Sequence, residues 1–99
     1  NALLQTGDAF LLEHNSTSGR DSIWSDDKYG EGKNWLGLQL MLVRDQRARS
    51  RSWTDDLSRV IDLATGEASN PESRRVWQDA VRRASEATRS QEAIAEDRA

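Results

Sequence analysis

Between residues 13 and 37 the chain gathers the carboxylates Glu13, Asp21, Asp26, Asp27 and Glu31 with the aromatic rings of Trp24, Tyr29 and Trp35. Gly30 and Gly32 are interleaved with them, and spaced glycines let a ligand or another backbone approach closely. Carboxylates beside indoles suit a substrate whose transition state is cationic and sugar-like. A carboxylate stabilises developing positive charge or activates water, while an indole stacks on a base. Backbone donors around the two glycines suit a phosphate, although a Gly-x-Gly alone is a weak signal. From these residues by themselves, cleavage of a glycosidic bond is one chemistry among several.

Each of these residues also has a plainer role open to it. Asp26 is either a site carboxylate or a cap for the backbone amides of residues 28 to 30. Trp24 either walls a pocket or packs in the core. Glu13 either serves the site or is the partner of an Arg or a backbone donor. His14, at the end of an apolar run, reads as a satisfied boundary residue rather than a base. Lys33 either meets a substrate phosphate or is an exposed loop lysine, and Asn34 works as a helix N-cap with no ligand at all.

The elements that position them follow from the pattern along the chain. Ala9-Phe10-Leu11-Leu12 is a short apolar run after a Gly7-Asp8 turn signal, which predicts a brief buried strand. Residues 14–21 are rich in turn formers, and residues 26–33 form a second loop. Leu36, Leu38, Leu40 and Leu42 alternate as in a strand, whereas Leu36, Leu40 and Val43 share a helical face. Asn34 as N-cap favours the helix. Residues 45–52 are a polar, Arg-rich joint, read as a solvated helix end or linker. A short helix is expected from Trp53 to Leu63. Asn70-Pro71-Glu72 then starts a last helix that runs into the nineties. Its apolar stripe is Val76, Trp77, Ala80, Val81 and Ala84, and we expect Trp53 and Trp77 to pack locally.

Composition bounds the rest. Ninety-nine residues with 35% hydrophobic content make one small domain at most, with its apolar residues concentrated before residue 44. A net charge of -3 gives no bulk positive potential for nucleic acid. The absence of Cys excludes a disulfide framework, thiol catalysis and Cys-ligated zinc. One His without a partner motif argues against a structural metal. No apolar run is long enough to span a bilayer and no leader pattern opens the chain, so an intracellular, cytoplasmic, membrane-free setting is expected. The chain starts at Asn1 without an initiator Met, and we expect it to be a fragment of a longer protein.

The series Thr6-Gly7-Asp8, Leu12-Glu13-His14, Trp24-Ser25-Asp26, Gly30-Glu31-Gly32-Lys33-Asn34 and Leu36-Gly37, running into Leu40-Met41-Leu42-Val43-Arg44, resembles the C-terminal half of the NADAR (YbiA-like) family. The family pattern there reads approximately TGD, LVEH, YWGDG, GxGKNxLG and LMxVR. Ser25 stands where the pattern has Gly. The resemblance covers roughly Ala2 to Gln46, under half of the chain. It implies an α+β, helix-rich fold of short strand, loops and helix. Residues 1–47 would be the C-terminal part of such a domain, and residues 48–99 a polar helical extension, partly disordered, whose helix has room for a protein partner.

The implied activity is that of an N-glycosidase, a hydrolase of nitrogen–ribose bonds. Its substrate is a small N-riboside phosphate of riboflavin synthesis or an ADP-ribosylated nucleotide, with no metal or redox cofactor. Carried over by position, Asp26 and Glu13 are the catalytic candidates, and Trp24, Gly32, Lys33 and Asn34 the substrate-binding ones. The family's other signature, an SEHYFQAQKF-like helix with a catalytic Glu, is not among these residues. We therefore expect part of the active site here, and activity only in a longer parent. The alternative is a non-catalytic nucleotide-binding or protein-interaction remnant.

Overall fold

The computed structural model describes residues 2–98. Its helices are α1 (Ala2–Gln5), α2 (Trp35–Ala48), α3 (Ser52–Ser58) and α4 (Pro71–Arg98), with an isolated antiparallel bridge between Ile61 and Ala68. The motif-bearing residues 6–34 form a long irregular segment between α1 and α2. No helix among the described residues is long and apolar enough to cross a membrane.

The strand expected over Ala9–Leu12 forms no ladder among the described residues. Side chains of α2 and of the residue before it take the place of a neighbouring strand. Asn34 Nδ2 donates to the Leu11 carbonyl at 2.9 Å, and Asn34 Oδ1 accepts the Glu13 N–H at 2.9 Å. From the far end of α2, buried Arg44 donates to the Ala9 carbonyl and to Thr6 Oγ1, both at 2.7 Å. An apolar run shows that a segment is buried but not what satisfies its backbone, and here polar side chains do so. Phe10, Leu11 and Leu12 still pack against the core.

The stretch from Leu36 to Val43 is helical. Its buried face is Gly37, Leu38, Met41, Arg44 and Asp45, rather than the expected Leu36, Leu40 and Val43, of which Leu40 and Val43 are exposed. Apolar residues surround this helix, so periodicity alone does not select the face. Asn34 occupies the N-cap position but makes no capping bond, because its side chain is turned to residues 11 and 13. The preceding turn caps the helix instead. The carbonyls of Ser25, Ile23 and Trp24 accept the N–H groups of Asn34, Trp35 and Leu36 at 3.1, 3.0 and 3.2 Å. Three donors that a helix start leaves unpaired are thereby satisfied.

At its other end α2 closes on Arg49 in the left-handed region, with the Ser50 N–H reaching back to the Asp45 carbonyl at 2.9 Å. The Asp45 carboxylate then caps α3. Its Oδ2 accepts the N–H groups of Trp53 and Thr54 at 2.9 and 2.6 Å, and the Thr54 hydroxyl at 2.8 Å. Helix α3 is shorter than expected, ending at Ser58, and Leu57 with Ile61 beyond it enters the core.

Asn70 caps α4 as its sequence predicts, Oδ1 accepting the Ser73 N–H at 2.8 Å with Pro71 at the first helical position. The buried face is Ser73, Trp77, Val81 and Ser85, one residue per turn. Val76 belongs elsewhere, being 53% exposed. Trp77 is not local packing. Its ring meets Phe10 at 5.6 Å between centroids, and its Nε1 donates to the Lys33 carbonyl at 2.8 Å. Leu38, Met41, Leu57, Ile61, Trp77 and Val81 form one apolar cluster that draws on α2, α3 and α4 together.

Candidate active site

Asp26 is the hub of the irregular segment and is fully buried. Oδ1 accepts the N–H groups of Asn15 and Lys28 at 2.9 and 3.0 Å, and Oδ2 lies 2.7 Å from His14 Nδ1. Its own N–H donates to the Glu13 carbonyl at 2.9 Å, and its carbonyl accepts Gly30 and Gly32 N–H at 2.9 and 3.1 Å. Burial by itself pushes the Asp26 carboxyl up. The Asn15 N–H, the His14 ring and the Lys28 N–H outweigh it and hold the group below the ordinary Asp value. Ser25 is also buried. Its hydroxyl donates to the Asp21 carbonyl at 2.7 Å and accepts the Asp27 N–H at 3.1 Å, which locks the turn before Asp26.

The two glycines are packed closely against protein atoms. A Cβ on Gly32 would lie 2.1 Å from the Ser25 carbonyl oxygen, and one on Gly30, where φ is +88°, 2.6 Å from the Arg82 Cα. Their N–H groups are directed at the Asp26 carbonyl, so the backbone donor expected of Gly32 faces the protein. Their carbonyls are also occupied. Gln78 Nε2 donates to Gly30 and Gly32 at 2.6 and 2.7 Å, and Ser85 Oγ to Lys28 at 2.9 Å. Helix α4 thus holds the loop by its backbone, and the Arg82–Glu31 ion pair at 2.9 Å reinforces the contact at its rim.

The other candidates lie around this hub. Glu13 is exposed, its backbone pinned on both sides by Asn34 and Asp26, and its carboxylate has no hydrogen bond or ion pair among the described residues. Trp24 is 45% exposed and meets Trp35 edge-on at 6.0 Å. Lys33 pairs with Glu67 at 3.0 Å and lies 4.9 Å from the Trp35 ring centre. Asn34 is fully buried as a backbone strap. A concavity of about 240 Å³ is lined by Lys33, Trp35, Glu67, Arg74, Trp77 and Gln78. A smaller one of about 140 Å³ is lined by Trp24, Trp35 and Leu63 among others. Asp26 and Glu13 line neither of the two. Among the described residues no three His, Asp or Glu converge to hold a metal ion.

Two curated proteins resemble part of this chain. The N-glycosidase YbiA of Escherichia coli is 46% identical over 46 residues, which is 46% of this chain and 27% of YbiA. A riboflavin biosynthesis protein of Vibrio vulnificus is 48% identical over 44 residues, 44% of this chain and 11% of that protein. The relationship is to YbiA-like N-glycosidases, and it is partial. The chain spans about a quarter or less of the length of these relatives. No protein-family model matches it, and no solved structure does.

His14 is the residue whose place the sequence understated. As the one His of the chain, inside a Leu-Glu-His motif, it had a signal of its own. Ser85, Gln78 and Glu92 had none, because their contacts with the loop join residues 46 to 78 positions apart.

Proposed function

We propose that this chain carries one wall of an N-ribosyl hydrolase site, within a YbiA-like domain of α+β class whose remaining wall comes from a longer parent protein. The observation that carries the reading is the state of Glu13. Its carboxylate is exposed and unpaired among the described residues, on a backbone whose N–H is bonded to the Asn34 side chain and whose carbonyl is bonded to the Asp26 N–H. An unpaired carboxylate on an anchored backbone is able to activate water or to stabilise an oxocarbenium-like ribose. The partial likeness to an N-glycosidase supports the same chemistry. The substrate class is an N-riboside bearing phosphate or ADP, with exposed Trp24 facing the base and Lys33 the phosphate. Asp26 acts from behind, as the group that fixes the loop.

The test uses the protein encoded by the complete reading frame. ADP-ribosylated guanosine and a phosphoribosylated pyrimidine are offered to wild type, Glu13→Gln and Asp26→Asn. Glu13→Gln is expected to lower kcat by about 10²–10⁴, the usual effect of removing a catalytic acid or base. Wild-type rates in that variant would end the reading. Equal rates for wild type and Asp26→Asn would remove Asp26 from the mechanism.

One observation favours a second reading, a nucleotide-binding remnant without catalysis: both Asp26 oxygens are already bonded to protein groups. Calorimetry with ADP-ribose separates the two. Binding with no turnover of either substrate by the complete protein selects the remnant.

A further inference from the structure

We propose that His14 is the general acid of this site, that Asp26 is the positioning residue fixing its ring, and that Nε2 is the atom that protonates the leaving nitrogen. The inference rests on the N-ribosyl hydrolase reading and extends it to a residue whose sequence context suggested only a boundary role.

The geometry has three parts. First, an ionised carboxylate only accepts hydrogen bonds, so the 2.7 Å contact of Asp26 Oδ2 with His14 Nδ1 puts a proton on Nδ1. Asp26 cannot turn away from this task, because Oδ1 is held by the Asn15 and Lys28 N–H groups and the residue is fully buried. Second, with Nδ1 committed, Nε2 is the ring nitrogen left for proton transfer. This is the division of labour by which a buried Asp orients a working His. Third, Nε2 faces a carboxylate from another element, Glu92 Oε1 of α4 at 3.4 Å. The groups facing the ring are therefore Asp26 from the loop and Glu92 from α4, and a doubly protonated ring has an acceptor at each nitrogen. Glu92 is half exposed, at 52%.

The bond between ribose C1′ and the base nitrogen breaks with its electron pair going to nitrogen, and His14 Nε2 supplies the proton that makes the base a neutral leaving group. Water adds to C1′ and gives one proton to Glu13. His14 leaves the step neutral and Glu13 protonated, and proton exchange with solvent restores both.

Because the chain holds a single His, its ring is read without interference. Long-range proton–nitrogen NMR on this chain is expected to show Nδ1 protonated in wild type and the ring released from that form in Asp26→Asn. Identical spectra would overturn the positioning role. In the complete protein, with ADP-ribosylated guanosine as substrate, wild-type kcat is expected to fall as rising pH deprotonates the acid. His14→Asn keeps a donor toward Asp26 but removes Nε2. It is expected to lose about 10²-fold or more in kcat, with little change in KM and without the alkaline fall. An active wild type with no alkaline fall overturns the inference even if the variant does not fold, and so does a variant within a few fold of wild type. A wild type inactive on every N-riboside overturns the hydrolase reading itself, and this inference with it.

Discussion

Asp26 is a buried carboxylate held by two N–H groups and the His14 ring, and its pKa in the folded chain lies below the 3.8 of a free Asp. Between the folded and unfolded values the native state binds fewer protons, so stability there rises with pH. The contribution of Asp26 is complete above the unfolded pKa and is lost as pH falls through the folded one. Urea midpoints of wild type are therefore expected to drop as pH falls below about 4, and those of Asp26→Asn to drop less. An equal acid response in both proteins would mean that the carboxylate does not couple to folding. At this scale the sequence was half legible. It marked Asp26 as either a site group or a cap for the amides of residues 28 to 30, and the Lys28 N–H is one of its donors. That Asn15 and His14 would complete the set depends on how residues 13–15 fold back onto residue 26.

At the scale of elements, two helix starts show how far a local code reaches. Asn70 caps α4 from the adjacent position, accepting one N–H, and is itself exposed. Asp45 caps α3 from the end of the preceding helix, accepts three donors and is almost wholly buried. Removing Asp45 strands donors in a dry site, whereas water replaces Asn70. Asp45→Ala is expected to cost about 2 kcal/mol and Asn70→Ala about 1 kcal/mol in urea titrations. The reverse order would show that the α3 cap is dispensable. The Asn-Pro-Glu signal predicted the first cap. The second was hidden in the Arg-rich joint, because a cap eight or nine residues away has no fixed spacing. Asn34 had the right position and the wrong task, for the carbonyls of residues 23–25 reach the helix start first.

The whole molecule measures 41 × 33 × 19 Å, and its short axis accommodates about two helix diameters. So thin a body has a narrow core, and its buried apolar cluster depends on each member. Trp77 stands at the crossing of that cluster with the motif loop, touching Phe10 and donating to the Lys33 carbonyl. Trp77→Ala is expected to cost about 3–5 kcal/mol, a large part of the stability of a domain this small. In circular dichroism the melting temperature is expected to fall by at least about 12 °C. A fall of only a few degrees would show that the loop stands without α4. The motif-bearing segment and the helix beyond residue 70 therefore share one core.

The sequence by itself determined the features encoded within a few residues: the start of α4 at Asn70-Pro71, the helix after Asn34, the glycine-bearing turn and the order of the motifs. These follow from backbone geometry and nearest-neighbour hydrogen bonds, which act locally. The tertiary structure alone decided the burial of Asp26, the inward face of α2, the replacement of a strand partner by Asn34 and Arg44, and the grip of α4 on the loop carbonyls. Each of those depends on groups brought together from distant positions, such as Lys33 with Trp77 or Lys28 with Ser85. No local propensity specifies a contact across so long a stretch of chain, since only packing of the complete core brings the two ends of the bond into reach.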